Sequence, residues 1–232
     1  MFLRDNSCTN SEPAASIVAD NGDTWLDRIG SAADLDARAR AYDQWAATYD
    51  NDVMQIGYTN HGVAAALVGR YVPPAEARLL DAGVGTGALG DILRATGYNH
   101  LTGIDMSEGM LSKARERGTY RDLRQRMLGK PLDFEDAAFT AVVSFGVFAM
   151  GHAPPEALDE VVRVTAPGGY LIFSVGTTPW NEGGFKEKVR ALEASGAIAC
   201  AEVTPPYHPM PRSTSRNHTN RAYVYRRIGT EP

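Results

Sequence analysis

The sequence predicts an α/β protein with a mostly parallel seven-stranded sheet, helices on both faces and an antiparallel C-terminal edge. Short apolar runs alternate with segments of helical periodicity from residue 79 onward. The connections between these runs are mostly long enough to hold a helix, which favours parallel strands joined by crossovers. The last two runs, 198–203 and 223–228, have no helical segment between them and predict the antiparallel edge.

The composition excludes several classes of protein. A chain of 232 residues is long enough for one domain that buries roughly 70% of its unfolded surface. Its formal charge of −5 gives no electrostatic reason to expect a nucleic-acid partner. The two cysteines, Cys8 and Cys200, form neither a metal-binding spacing nor a disulfide framework. Without a signal-peptide core or an apolar run of about 20 residues, we expect a cytoplasmic protein with no membrane partner.

The N-terminal residues predict an arm followed by a helix. Residues 1–31 are rich in Ser, Asn, Asp and Ala, and they predict a flexible arm. A helical pattern over 32–54 places Tyr42, Trp45 and Tyr49 on or near one face. That aromatic face is either a stripe directed into the core or the inner side of a lid over a ligand.

The strongest motif is the glycine loop 81–87, Asp-Ala-Gly-Val-Gly-Thr-Gly, at the end of the first apolar run. Glycines allow a sharp turn and a close backbone approach to a ligand, and the following helix presents unpaired N–H groups there. Gly83, Gly85 and Ala88 also fit the dinucleotide fingerprint loosely. Asp81 favours another ligand, because a carboxylate at the strand tip repels a pyrophosphate and attracts an amino group.

A second acid ends the next predicted strand, 101–105. From this position the Asp105 carboxylate can accept both ribose hydroxyls of an adenosine. An adenosine that carries a cationic amino-acid tail in place of phosphates suits both Asp81 and Asp105. S-adenosylmethionine is that molecule, and S-adenosylhomocysteine is the product that remains after methyl transfer.

From about Tyr42 to Ala197 the sequence resembles the class I S-adenosylmethionine-dependent methyltransferases. The resemblance rests on the glycine loop, on Asp105, on Phe-Glu-Asp-Ala-Ala-Phe at 134–139 and on Pro-Gly-Gly at 167–169. It implies a Rossmann-like fold and S-adenosylmethionine as the cofactor.

Two further motifs are similar to a narrower branch of this family, that of the methyltransferase-like protein of the Williams–Beuren deletion region. They are Tyr-Asp-Gln-Trp-Ala-Ala-Thr-Tyr-Asp at 42–50 and Gly-His-Ala-Pro-Pro at 151–155. The family resemblance implies a single methyltransferase domain over 32–232. It also implies that residues 32–71 form a helical lid that covers the cofactor.

The resemblance further implies which residues bind the cofactor. Class I enzymes often place an acid after the third strand, but Leu128 and Gly129 stand there. We therefore expect backbone groups to read the adenine edge, with Met127 or Leu128 packed on the ring. The buried strand 139–145 should bring Phe145 beside the sulfonium. The predicted set is Tyr42, Tyr49, Asp81, Gly83, Gly85, Thr86, Gly87, Asp105, Met106, Met127, Leu128, Gly129 and Phe145.

The implied reaction is methyl transfer to an oxygen, nitrogen or other nucleophile of a small molecule. A sulfonium methyl is already activated, so transfer needs alignment more than a strong protein catalyst. His152, seven residues beyond the strand end at Phe145, is either a general base or a structural loop histidine. His208 is a weaker candidate in the loop 205–220, which is either disordered or a substrate cover.

Two other functions stay open at this level. The glycine loop could bind NAD in an oxidoreductase, although an apolar residue is then expected at position 81 and no matching catalytic set is found. The protein could also bind S-adenosylmethionine or its product without transferring a methyl group. The sequence leaves the methyl acceptor and the oligomeric state open.

Overall fold

The computed structural model describes residues 20–214 and 218–229. A seven-stranded sheet has the order β3-β2-β1-β4-β5-β7-β6. The strands are β1 (Arg78–Ala82), β2 (His100–Asp105), β3 (Asp122–Gln125), β4 (Phe139–Phe148), β5 (Thr165–Gly176), β6 (Ile198–Val203) and β7 (Asn220–Arg227). The first five strands are parallel, and β7 is antiparallel to both of its neighbours. The predicted fold is confirmed, and the edge strand on this side is β6 because β7 lies between β5 and β6.

Helices cover both faces of the sheet. They are α1 (Asp20–Gly30), α2 (Leu35–Trp45), α3 (Tyr49–Gln55), α4 (Asn60–Tyr71), α5 (Ala88–Ala95), α6 (Glu108–Arg117), α7 (Ala157–Val164), α8 (Thr177–Glu182) and α9 (Phe185–Ala194). Successive strand residues point to opposite faces, so Leu79 packs with α4 and α5 while Leu80 packs with α7 and α9. Each face therefore has its own apolar core.

The helix predicted over 32–54 is two helices. α2 ends at Trp45, and α3 begins at Tyr49 after a turn. The Asp52 side chain stabilises this break, because its Oδ2 accepts hydrogen bonds from Trp45 Nε1 (2.8 Å) and from Thr48 Oγ1 (2.7 Å). The continuous helix is therefore a wrong prediction, and the local hydrogen bonds of Asp52 are the physical reason.

The predicted flexible arm needs a correction at its C-terminal part. Residues 1–19 lie outside the described residues, whereas residues 20–30 form α1. Ile29 is 2% exposed, and the Trp25 ring stacks on Trp45 at 6.1 Å between centroids. The Ile29 carbonyl also accepts a hydrogen bond from the buried Arg38 Nε (3.1 Å). The prediction of a flexible segment is wrong for α1, because apolar packing fixes it on α2 and α3.

Across the described ranges, the helices are all too short or too polar to cross a bilayer.

Candidate active site

A pocket opens at the carboxyl ends of β1, β2 and β4. Open α/β sheets bind ligands at this edge, where crossovers leave the central strands in opposite directions. The space inside the pocket, counted together with the open solvent at its mouth, is about 700 Å³. Ten residues predicted for the site line this pocket: Tyr42, Tyr49, Gly83, Gly85, Asp105, Met106, Met127, Leu128, Phe145 and His152.

The two glycines of the loop that line the pocket have different surroundings. Both have positive φ, 94° at Gly83 and 54° at Gly85, which side chains rarely adopt. A Cβ at Gly83 would lie 2.1 Å from Val147 Cγ2, whereas no atom lies within 4 Å of a Cβ at Gly85. The missing side chain at Gly83 therefore makes room for Val147, whereas the missing side chain at Gly85 leaves open space in the pocket.

Asp105 lies at the end of β2 and lines the pocket beside the glycine loop. Its Oδ2 accepts a hydrogen bond from the Gly85 N–H (2.8 Å), and its Oδ1 accepts one from the Ser107 N–H (2.9 Å). Burial raises the pKa of Asp105, and these backbone hydrogen bonds oppose the shift. A carboxylate has about four acceptor sites, so acceptor capacity remains for hydroxyl groups in the pocket.

Asp81 lies behind the pocket wall. Its side chain is 5% exposed, and the Tyr120 hydroxyl donates a hydrogen bond to its Oδ2 at 2.6 Å. Burial raises the pKa of Asp81 to about 7, although the hydrogen bond from Tyr120 opposes that shift. Asp81 does not line the pocket, and its contact with a cofactor amino group stays a prediction.

Three further predicted residues also lie outside the pocket lining, and each has a structural contact that explains it. Thr86 is 2% exposed, and its Oγ1 donates a hydrogen bond to Asp50 Oδ1. A Cβ at Gly87 would lie 3.2 Å from the Ala114 Cβ, so this glycine permits the close approach of α6. Gly129 has a φ of 95° and lies against a proline ring. These contacts support the pocket wall, and the binding of the cofactor by these three residues stays a prediction.

The aromatic residues of the predicted lid divide between two roles. Tyr42 on α2 and Tyr49 on α3 line the pocket. Trp45 is 1% exposed and packs in a small core cluster with Ile29 and Val53. The tyrosines thus border the pocket and the tryptophan packs the helices together, and the closing of this face over a cofactor stays a prediction.

Polar contacts attach these covering helices to the sheet. Asp43 on α2 accepts hydrogen bonds from the Ser107 hydroxyl (2.6 Å) and from the Gly109 N–H (2.8 Å). Asp50 on α3, already bonded to the glycine loop, also forms an ion pair with Arg117 of α6. Both acids thus hold the lid over the pocket.

His152 lies beside Tyr42 at the rim of the pocket. Its Nε2 is 3.3 Å from the Tyr42 hydroxyl, and its Nδ1 is 3.3 Å from the Met150 carbonyl oxygen. A carbonyl only accepts, so Nδ1 carries the proton in that contact and Nε2 of a neutral ring accepts from Tyr42. Burial raises the pKa of Tyr42 far above its usual value, so this hydroxyl keeps its proton. The other candidate, His208, lines neither this pocket nor the adjoining cavity.

A second cavity, with an empty volume of about 1240 Å³, adjoins the first pocket. The two share five wall residues: Tyr42, Tyr49, Tyr58, Gly146 and His152. The remaining walls come from α1, α2, α3, the first residue of α4, the ends of β4 and β5, the start of α8, the loop before β7 and the first residue of β7. None of the described residues that line this cavity is an Asp, Glu, Lys or Arg. The second cavity is therefore larger than the first and carries no formally charged side chain of these types.

The described part of the loop 205–220 is ordered against the lid. Tyr207 forms an antiparallel bridge with Asn220, and the Thr59 N–H donates a hydrogen bond to the Pro209 carbonyl (2.9 Å). Pro209 and Asn220 also line the second cavity. The described part of this loop therefore contributes to the wall of the second cavity, and its role as a substrate cover stays a prediction.

Sequence reasoning missed Tyr58 and Gly146, which both border the two cavities. Gly146 follows the buried run of β4 with a φ of 78°, and a Cβ there would lie 2.3 Å from the Tyr58 hydroxyl. A glycine inside a strand often marks the close approach of another group. That signal could have identified Gly146, but it does not say which side chain approaches.

Comparisons with known proteins agree with this geometry. Residues 80–173 match the family of methyltransferase domains. Human methyltransferase-like protein 27 is 36% identical over 165 residues, which are 70% of this chain and 65% of that protein. The phosphatidylethanolamine N-methyltransferase of Cereibacter sphaeroides is 33% identical over 148 residues, with 60% of this chain and 68% of the relative covered. The chain thus spans about two thirds of the length of these relatives.

A solved structure supports the same fold. The S-adenosylmethionine-dependent methyltransferase from Mesorhizobium loti superimposes with a TM-score of 0.55 at 19% identity. The superposition covers 72% of this chain and 100% of that chain. At this identity the likeness concerns the fold.

Proposed function

The chain belongs to the S-adenosylmethionine-dependent methyltransferases, and we propose that it transfers a methyl group to an oxygen, nitrogen or other nucleophile of a small, mainly apolar molecule. The observation that carries this proposal is the pair of adjoining cavities. The first has the glycine loop and the Asp105 carboxylate, which suit the cofactor, and the second has an uncharged, mainly apolar wall, which suits an acceptor.

The residues of the first pocket fit S-adenosylmethionine. Asp105 keeps acceptor capacity for ribose hydroxyls, and the open space at Gly85 admits a ligand against the backbone. Tyr42 and Tyr49 offer aromatic faces, which attract a sulfonium cation. When it is bound, the cofactor supplies an activated methyl group, so the chain's own task is to align the two reactants and exclude water.

The nicotinamide alternative loses support at the N-terminus of α5. A dinucleotide places its pyrophosphate there, against the first turn of the helix. In this protein Asp50 of the lid is bonded to Thr86 at that turn, and Asp91 lies in the turn itself. Arg117 pairs with both carboxylates, which leaves a net negative charge. This charge opposes a pyrophosphate.

His152 is the proposed general base for an oxygen or nitrogen acceptor. It borders both cavities, and its Nε2 becomes available when the Tyr42 hydroxyl turns away. We expect His152→Ala to lower the methylation rate about 100-fold, the usual contribution of a general base, and to leave S-adenosylhomocysteine affinity unchanged. An unchanged rate would identify His152 as a structural residue.

The proposed function is tested by methyl transfer itself. Purified protein is incubated with methyl-labelled S-adenosylmethionine and a fractionated small-molecule extract, and labelled products are separated by chromatography. We expect a labelled apolar product, and much less of it from Asp105→Ala at a cofactor concentration below saturation. Tight binding of S-adenosylmethionine in calorimetry without any labelled product would favour the alternative of a binding protein that does not transfer the methyl group.

The acceptor of the Cereibacter sphaeroides relative is not extended to this chain. A phosphatidylethanolamine carries a phosphate, and the described wall of the second cavity has no Lys or Arg to pair with it. We therefore propose an uncharged acceptor.

A further inference from the structure

The wall of the second cavity contains a buried polar atom that has no partner. Asn220 is the first residue of β7 and is 7% exposed. Its Oδ1 is the buried side-chain acceptor that makes no hydrogen bond to any described residue. Such an atom destabilises the fold, because it loses its hydrogen bonds to water without gaining others. An unpaired acceptor at this position therefore calls for a functional explanation.

The backbone holds Asn220 in a fixed position. Asn220 and Tyr207 exchange two backbone hydrogen bonds, each of 2.9 Å. Asn220 also pairs with Gly176 in the ladder between β5 and β7. The side chain thus projects from the sheet edge where β5 ends and the cavity begins.

The amide nitrogen of Asn220 has a neighbour of its own. The Tyr207 hydroxyl donates its proton to Asn60 Oδ1 at 2.8 Å, so it can only accept from other groups. Burial raises the pKa of Tyr207, and hydrogen bonds from Ser174 and Asn220 oppose that shift, as expected if Asn220 donates to this oxygen. The amide nitrogen is therefore directed to Tyr207, and the carbonyl oxygen is left for another partner.

The space beside the buried Oδ1 depends on residue 176 being a glycine. A Cβ at Gly176 would lie 3.3 Å from Asn220 Oδ1, and Gly176 itself lines the second cavity. The surrounding wall has no acidic or basic side chain among the described residues, so a charged group would be desolvated there without a counter-ion. A neutral donor suits this oxygen best.

We propose that Asn220 selects the methyl acceptor, with its Oδ1 accepting a hydrogen bond from an uncharged N–H or O–H group of an otherwise apolar molecule in the second cavity. This inference rests on the proposed function, since it places the acceptor in that cavity. It makes Asn220 a specificity-determining residue, because an analogue without the donor leaves the buried oxygen unpaired.

The test uses matched probes on protein saturated with S-adenosylhomocysteine. The pairs are 4-propylphenol with 4-propylanisole, indole with 1-methylindole, and N-methylbenzamide with N,N-dimethylbenzamide. Binding is measured by ligand-observed nuclear magnetic resonance titration. In at least one pair we expect the member with the donor to bind about tenfold more tightly, the ratio that corresponds to one hydrogen bond to a buried acceptor.

Three variants locate this preference. Asn220→Leu keeps the approximate side-chain shape, and it should bring the two members of each pair to equal affinity. Gly176→Ala places a methyl group 3.3 Å from Oδ1, so the Asn220 amide and the Pro179 ring must shift slightly, and it should reduce the preference. This variant carries the test if thermal melting shows that Asn220→Leu does not fold. Thr177→Val is the control, because Thr177 lines the same cavity but its hydroxyl is already paired with Thr219. This variant should keep the preference.

Several outcomes would overturn the proposal. They are equal affinity within every pair for the unmodified protein, a preference that survives in both Asn220→Leu and Gly176→Ala, and absence of binding by all six probes. Calorimetry measures the binding of S-adenosylhomocysteine, and it distinguishes these three outcomes from a failure of the proposed function. Loss of that binding in the unmodified protein refutes both ideas, whereas intact cofactor binding without a donor preference refutes only the role of Asn220.

Discussion

The two cavities share a wall but are assembled in different ways. Apart from the lid, the first pocket is lined by residues from Gly83 to Ala153, at the ends of neighbouring strands. The second is lined by residues from four separate segments of the described chain, 26–60, 146–152, 174–179 and 209–220. The first thus depends on a contiguous crossover unit, and the second depends on how distant segments pack.

The cavities also differ in how their polar groups are satisfied. In the first, both oxygens of Asp105 already accept backbone hydrogen bonds. In the second, Asn220 Oδ1 is buried without a partner. The difference teaches that the protein alone preorganises the polar groups of the first pocket, whereas the proposed acceptor cavity contains a buried oxygen without a hydrogen-bond partner among the described residues.

The largest expected effect on cofactor affinity comes from a substitution at Gly85. Gly85→Ala places a methyl group in the open space of the first pocket, and we expect S-adenosylhomocysteine affinity to fall on the order of 100-fold, about 2.7 kcal/mol, in calorimetry. Gly118→Ala is the matched control, because Gly118 also has a positive φ (63°) and no atom within 4 Å of a Cβ. Both variants should lose about 1–2 kcal/mol of folding stability from backbone strain. Equal binding by the two variants would show that Gly85 does not face the cofactor.

The next effect is at Asp105. Asp105→Ala should weaken S-adenosylhomocysteine binding by about 1.5–3 kcal/mol, the value of hydrogen bonds to a charged acceptor. Asp122→Ala is the control, since Asp122 begins β3 opposite Thr102, does not line the pocket and pairs with Arg124. An affinity of Asp105→Ala that matches the control would mean that the ribose is held elsewhere.

A smaller effect is expected from the lid. Tyr49→Ala removes an aromatic face from the first pocket, and S-adenosylmethionine affinity should fall by roughly 0.5–2 kcal/mol, the range of cation–π interactions. Tyr49→Phe keeps the ring and should bind normally. S-adenosylhomocysteine should also slow amide hydrogen exchange in α2 and α3 if the lid closes on the ligand. Unchanged exchange in these helices would contradict a closing lid.

The smallest effect on cofactor binding is expected at Asp81, because Asp81 does not line the first pocket, unlike Asp105. The folded pKa of about 7 is above the unfolded value of 3.8, so the folded state keeps a proton that the unfolded chain releases. The stability that proton uptake by Asp81 contributes is therefore complete below about pH 4. It is lost as the pH rises to about 7, by about 1.4 kcal/mol per pH unit.

Asp81→Asn tests this directly. Urea denaturation at about pH 5 and about pH 8 should show a weaker loss of stability with rising pH in the variant than in the unmodified protein. Cofactor affinity should change by less than about threefold, or about 0.7 kcal/mol. A large loss of affinity would restore the contact between Asp81 and the cofactor that the sequence predicted.

The sequence by itself determined the sheet, the cofactor class and most of the first pocket. The glycine loop and Asp105 are joined by one helix and one strand, so apolar periodicity and short motifs are sufficient to bring them together. Even the glycine at position 146 left a signal, because it follows a buried run directly.

Only the tertiary structure decided what depends on distant partners. It placed Asp81 beside the Tyr120 hydroxyl and fixed α1 on α2. It also placed Gly83 against Val147 and left open space beside Gly85. The second cavity and the unpaired oxygen of Asn220 belong to the same group. The burial of a side chain and the pairing of its polar atoms depend on which distant segments contact each other. Local periodicity and short motifs do not indicate those contacts.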